Sequence, residues 1–284
     1  MNVGISMWSY VHAWKADRID LPGFIHEAKK LGADGVELLD FFYKEREADR
    51  ARALKALDET GLKCGVFSVA QNFAKPDPLD RKAELGKIRL GIEEAVRFGA
   101  GVVRVFAGDV PAETLITFED AREWIVEGLA EASRIAGDAG IKLALENHGK
   151  LAGRGEQVRD IILDVRSRAG NDALGANPDT GNFLLVGQPS HEAIREVVQY
   201  ANMVHFKDFA PAPTSYDGFA YQALDGSKFI GTVIGEGSVD LAACVAELRT
   251  VGFSGWLNLE YEAEEDPFTG VPKSLENTRR FVSA

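Results

Sequence analysis

Residues 96–105 read VRFGAGVVRV, and a similar phrase recurs as KKLGADGVEL at 29–38 and as RTVGFSGWLNL at 249–259. Each closes a helical run on a glycine, which accepts the left-handed backbone of a helix C-terminus, and then turns into a short apolar run. A helix feeding so directly into a buried strand predicts parallel strands joined by helical crossovers. Outward from these phrases, strands are predicted at 3–7, 35–39, 63–69, 102–106, 141–146, 174–177, 203–207 and 256–260. Segments of helical period lie between and after them, at 21–31, 46–60, 80–98, 118–139, 156–169, 191–200, 240–251 and about 273–282. Eight strands with eight crossovers in 284 residues predict one closed (β/α)₈ TIM barrel spanning 1–284 rather than an open doubly wound sheet. No GxGxxG follows the first strand, and the GEG at 235–237 falls in a loop, which counts against a dinucleotide fold.

One connection breaks the rhythm. Residues 209–238, rich in Pro, Gly, Tyr and Phe, separate the seventh strand from its helix. That is longer than an ordinary βα loop. The segment is read as an insertion; a small hairpin is one form for it, and a lid over the barrel mouth is the function its position favours.

Composition narrows the class. With 45 % hydrophobic and 27 % charged residues the chain is an ordinary globular protein. Forty-four acidic against 32 basic residues give a net charge of −12, which repels phosphate backbones and anionic membranes, so neither nucleic acid nor membrane is an expected partner. Cys64 and Cys244 sit in apolar runs without metal or redox spacing and read as reduced core thiols. No signal-like or membrane-spanning stretch is evident, so a cytoplasmic protein is expected.

Catalytic groups of such a barrel come from the C-terminal ends of its strands. The fifth strand ends at Glu146 in LALENHG, the sixth runs into Asp179 in NPDTGN, the seventh carries His205 in VHFKD, and the eighth ends at Glu260 in LNLEYE. Three carboxylates brought together at a half-buried site repel one another unless a cation lies between them, so a divalent metal is expected. Three oxygen ligands and one imidazole suit Mn²⁺ first, with Mg²⁺, Co²⁺ or Zn²⁺ as alternatives.

As a set, GVELLD (35–40), LALENHG (143–149), NPDTGN (177–182), VHFKD (204–208), GEGSVD (235–240) and GWLNLEYE (255–262) resemble the xylose isomerase-like sugar isomerase/epimerase barrels. That superfamily also holds the D-tagatose and D-psicose 3-epimerases, inosose dehydratase and AP endonucleases. The resemblance spans nearly the whole chain. It implies Glu146, Asp179, His205 and Glu260 as metal ligands, with Glu146 and Glu260 also the proton-transfer pair. It implies a sugar epimerase or isomerase working through a metal-stabilised enediolate; the alternative is a dehydratase or lyase acting on a 3-keto sugar, an inosose or a dehydroshikimate-like acid. A small carbohydrate is the expected substrate, and barrels of this kind often form homo-oligomers. A nuclease is disfavoured, because that branch uses many histidines and this chain has five.

The chain departs from the epimerase pattern in several places. Asn182 stands where those enzymes carry a histidine, and Lys207 follows His205 where an arginine is usual. His148 lies two residues from Glu146 and Lys207 two from His205, so on extended backbone each shares its neighbour's face. Glu37 and Arg104 lie on strands two and four, where they serve either an internal polar network or the substrate. His148, Lys207, Asn182, Glu37 and Arg104 are therefore the candidate substrate-binding residues. Trp8, Trp14 and Phe67 fall near strand ends, where aromatic faces can pack against a sugar.

Overall fold

The computed structural model describes residues 1–110 and 114–284. The chain runs β1 (Asn2–Ser6), α1 (Val11–Lys15), α2 (Leu21–Lys30), β2 (Gly35–Leu39), α3 (Arg46–Thr60), β3 (Lys63–Ser68), α4 (Pro78–Phe98), β4 (Val102–Phe106), α5 (Phe118–Asp138) and β5 (Lys142–Glu146). It continues α6 (Gly155–Ala169), β6 (Leu174–Asn177), α7 (Ser190–Val197), β7 (Met203–Phe206), β8 (Phe209–Pro211), β9 (Tyr221–Gln222), β10 (Lys228–Gly231), α8 (Leu241–Thr250), β11 (Trp256–Leu259) and α9 (Pro267–Ser283). Eight parallel strands form one sheet in the order β6-β5-β4-β3-β2-β1-β11-β7. Its two ends approach through a parallel bridge between Asp179 and His205, so the barrel draws together at two of the residues singled out by the sequence. This is the expected TIM barrel.

The helices cover the outside because their apolar residues recur at helical spacing. Ile88, Ile92 and Ala95 on α4, and Ile125, Leu129 and Ala132 on α5, are all buried against the strands. Inside the barrel the two ends differ in character. Val66, Ala144 and Met203 pack with Val102 and Trp256 as an apolar plug at the N-terminal end of the strands. Above the plug, Ser6, Glu37, Ser68, Arg104, His205 and Asn258 form a buried polar layer. The chemistry-bearing groups are thus confined to the C-terminal face.

The plug depends on a missing side chain. A Cβ on Gly65 would stand 2.1 Å from Cε2 of the Trp256 indole. Substituting Gly65→Ala forces the indole or the strand to move and is expected to destabilise the fold by about 1–3 kcal/mol, as overpacking does. Thermal unfolding reads this directly; an unchanged melting temperature would mean that the plug is looser than it stands.

The insertion is more than a hairpin. It forms a three-stranded antiparallel sheet, β8-β10-β9, tied to the barrel at several points. Leu224 N–H donates to the Leu185 carbonyl at 2.9 Å and Thr232 N–H to that of Asp208 at 3.1 Å. The Asp208 carboxylate accepts from the N–H groups of Gly235, Gly237 and Val239.

Boundaries also differ from expectation where caps decide them. α4 starts at Pro78 behind the Asp77 cap, and α9 at Pro267 behind Asp266, because proline suits the first helical position and the aspartate accepts an orphan N–H. The last helix thereby begins earlier than periodicity suggests and carries Pro272 inside it. Short α1 has no counterpart in the sequence reading. Cys64 and Cys244 are free and buried, and burial pushes the Cys64 thiol up to about 12. Among the described residues, no helix is long and apolar enough to cross a membrane.

Candidate metal centre

The strand ends deliver Glu146, Asp179, His205 and Glu260 to one point. One ligand atom from each lies within 4.8 Å of all the others, and all four residues are buried. β5 places Glu146 opposite Asn177 of β6, whose Nδ2 donates to Oε2 at 3.2 Å. Asn182 Nδ2 donates to Oε1 at 3.2 Å, and Arg104 Nε lies 3.2 Å from Oε2. Asp179 is pinned by its backbone: Asn147 Oδ1 accepts its N–H at 2.7 Å and Asn147 Nδ2 donates to its carbonyl at 3.1 Å. Its Oδ1 accepts from the N–H groups of Gly181 and Asn182, which leaves Oδ2 to face the cluster.

His205 is oriented from behind. Its Nε2 lies 3.0 and 2.9 Å from the two oxygens of Glu37, which also accepts from Ser68 Oγ at 2.5 Å and from Asn258 Nδ2 at 2.9 Å. In the neutral imidazole a proton on Nε2 shared with Glu37 would leave Nδ1 free to bind an ion; that atom is aimed at Glu146, Asp179 and Glu260, at 3.2, 3.9 and 3.8 Å. Carboxylate, imidazole and site in this order form the arrangement that fixes a metal-ligating histidine.

The electrostatics call for a cation. Burial, reinforced by Glu146 and Glu260 and opposed by Lys207, pushes the Asp179 carboxyl up to about 7. Burial also works against charge on Glu146, but His205 and Arg104 overcome it and hold that carboxyl below its usual range. Burial opposes protonation of His205, and Glu37, Glu260 and Glu146 override it, so the imidazole is raised well above its ordinary value. Two buried atoms facing the cluster, Asp179 Oδ2 and His205 Nδ1, make no hydrogen bond. The Lys207 ammonium lies against the same acids, 3.1 Å from Asp179, 2.6 Å from Glu260 and 3.3 Å from Glu262. An orphaned carboxylate oxygen on Asp179 and an orphaned imidazole nitrogen on His205, with the Glu146 and Glu260 carboxylates beside them, fit a divalent metal.

A cavity of about 350 Å³ opens beside this cluster, with Glu146, Glu260, Lys207, Arg104 and His148 in its wall. Aromatic walls come from Trp8, Phe41 and Phe106, and the insertion contributes Tyr221. His148 stands exposed at the rim, its ring 4.2 Å from that of Phe106.

Two of the candidate substrate contacts stand apart from the cavity wall. Glu37 is fully buried and its oxygens are taken up by Ser68, His205 and Asn258, so it belongs to the polar network beneath the site. Asn182 is turned onto Glu146 and Asp179 and is not part of the cavity wall; it orients a carboxylate instead of facing the substrate space. Of the aromatics, Trp8 lines the cavity, whereas Trp14 packs on Phe41 and Phe42, and Phe67 is buried in the helix layer against Phe98. Sequence reasoning missed Glu262, held by Trp8 Nε1 at 2.7 Å, along with Asn147 and Asn177. Glu262 was detectable as the second acid of EYE, two residues beyond Glu260.

The pattern of the xylose isomerase-like TIM barrel matches residues 25–281. The chain belongs to that family. Inosose dehydratase of Clostridium botulinum (strain Alaska E43 / Type E3) is 29 % identical over 154 residues, covering 53 % of this family member and 50 % of the relative. The chain thus matches about half the length of that relative. Among solved structures, a zinc-bound IOLI protein superposes with a TM-score of 0.75 at 20 % identity, covering 100 % of this chain and 98 % of that one. D-Psicose 3-epimerase of Clostridium cellulolyticum H10 with D-tagatose gives a TM-score of 0.78 at 15 % identity, with 99 % of each chain covered.

The Glu37 contact yields a test within this barrel. Glu37→Gln keeps the shape but removes the charge behind His205 and is expected to weaken divalent-metal affinity about 10- to 100-fold, as loss of a partner behind a metal-ligating histidine does. Titration of Mn²⁺ followed by calorimetry measures this. Equal affinity in the two proteins would mean that Glu37 does not orient the imidazole.

Proposed function

We propose that this family member is a divalent-metal-dependent sugar epimerase or isomerase that begins by taking a proton from the carbon beside a carbonyl. One observation carries the reading: Glu146 and Glu260, arriving on different strands, line one sugar-sized cavity and converge there with Asp179 and His205. Glu146, Asp179, His205 Nδ1 and Glu260 hold the ion, Mn²⁺ first, with Mg²⁺, Co²⁺ or Zn²⁺ as alternatives. A bound divalent ion supplies positive charge to the oxygen on which negative charge grows as the proton leaves.

The chain's own groups do the rest. One glutamate removes the proton and the other returns one, so that delivery to the opposite face inverts the centre. Arg104 and Lys207 present hydrogen-bond donors to substrate oxygens, and Trp8 and Phe41 offer faces to its C–H side. Tyr221 brings the insertion against the cavity as a lid that limits access of water.

A second reading, dehydration of a keto-inositol or related acid, is supported by the inosose dehydratase likeness. It uses the same first step and then expels a β-hydroxyl, to which the Lys207 ammonium in the cavity wall is an available proton donor. Proton NMR of Mn²⁺-loaded protein in D₂O with ketoses, 3-keto sugars, inososes and dehydroshikimate separates the readings. Exchange with a new stereoisomer is the expected result, while exchange with loss of water establishes the dehydratase. No exchange with any of them overturns both.

A further inference from the structure

A second cavity, of about 460 Å³, adjoins the first and shares Trp8, Tyr221 and Glu262 with it. Its outer wall includes Tyr216 and Phe219, both supplied by the insertion between β7 and α8. Phe219 is 70 % exposed, with its ring set edge-on to Tyr221 at 4.9 Å. Glu262 stands at the junction beside Tyr221, accepting from Trp8 Nε1 at 2.7 Å and 3.3 Å from the Lys207 ammonium. The two cavities thus meet at Trp8, Glu262 and Tyr221, the inner one beside the acid cluster and the outer one walled by aromatic faces.

We propose that the substrate is a glycoside, with the reacting sugar in the inner chamber and a second ring, joined through a glycosidic oxygen, in the outer chamber against Phe219 and Tyr216. The inference rests on the reading above for where the sugar sits, and it adds the length and class of the substrate. Sugar rings carry C–H faces and hydroxyl edges, and an aromatic wall with a hydrogen-bonding carboxylate at its neck matches both. A second ring recognised by its apolar face is either another sugar or an aromatic aglycone.

Binding of inert probes tests this without relying on turnover. Dissociation constants of glucose, cellobiose and phenyl glucoside are measured by ligand-observed NMR on the Mn²⁺-loaded protein and on Phe219→Ser, whose exposed position leaves the fold intact. A two-ring probe is expected to bind about tenfold more tightly than glucose. Phe219→Ser is expected to weaken that probe about three- to tenfold and to leave glucose unchanged. Preference for cellobiose names a second sugar, and preference for phenyl glucoside an aromatic aglycone; either supports the proposal. Equal constants for all three, no measurable binding of either two-ring probe, or an unchanged preference in Phe219→Ser would overturn it. These constants do not depend on proton exchange, so failure of the epimerase reading would be seen separately.

Discussion

Glu260→Gln is expected to lower turnover by about 10²–10⁴-fold while leaving the fold in place, which is the range that a positioned proton-transfer group contributes. Glu260 lies at the end of β11, in contact with Lys207 and near the His205 ring, and its carboxylate is part of the cavity wall. The amide keeps the volume and the oxygen that could face an ion, but it cannot take up the proton at neutral pH. Glu146→Gln is expected to behave alike, with one difference. Its Oε2 is surrounded by Asn177, Arg104 and His205, so loss of the charge also leaves Arg104 without its carboxylate partner and adds some destabilisation. Steady-state kinetics beside far-UV circular dichroism and thermal melts separate chemistry from folding. A Glu260→Gln protein that turns over at the wild-type rate would remove it from the proton-transfer role.

Stripping the metal is expected to produce the second large effect. Four acids, Glu146, Asp179, Glu260 and Glu262, gather at the top of the barrel with Glu37 beneath them, and Arg104, His205 and Lys207 are their basic partners. A cation that binds only the folded chain stabilises it by about 4 kcal/mol at a thousand times its dissociation constant. For a domain of this size that corresponds to a melting temperature about 7 °C higher. Chelator-treated protein is therefore expected to be inactive and to melt lower, and added Mn²⁺ to restore both. Asp179→Asn is expected to blunt the melting shift, since it removes a buried donor that no hydrogen bond satisfies. Equal activity and equal melting with and without chelator would contradict the metal assignment.

The barrel and the four converging residues were legible because both follow from local rules. Glycine-closed helices feeding apolar strands announce a βαβ chain, and a carboxylate at the end of a buried strand falls on the catalytic face. Glu146 and His205 needed only those rules. Glu37 did not yield its role, because its partner His205 lies 168 residues away and the contact crosses the inside of the barrel. No spacing within GVELLD distinguishes a side chain that holds a histidine from one that touches substrate. Asn182 misled for a related reason: its position in NPDTGN points to the site, but the one-turn helix after Gly181 directs its amide onto Glu146. Glu262 lies past the end of β11, where strand alternation no longer determines facing, so only the repeated acid of EYE marked it. The insertion was visible as a length anomaly, yet its third strand was not, since β9 is only two residues long and has no pattern of its own.

Mn²⁺ anomalous diffraction from crystals of the metal-loaded protein tests the central claim most directly. One strong peak is expected between Glu146, Asp179, His205 Nδ1 and Glu260, at roughly 2.0–2.3 Å from their ligand atoms. A peak elsewhere, or none at these four side chains with the ion in excess, would contradict it.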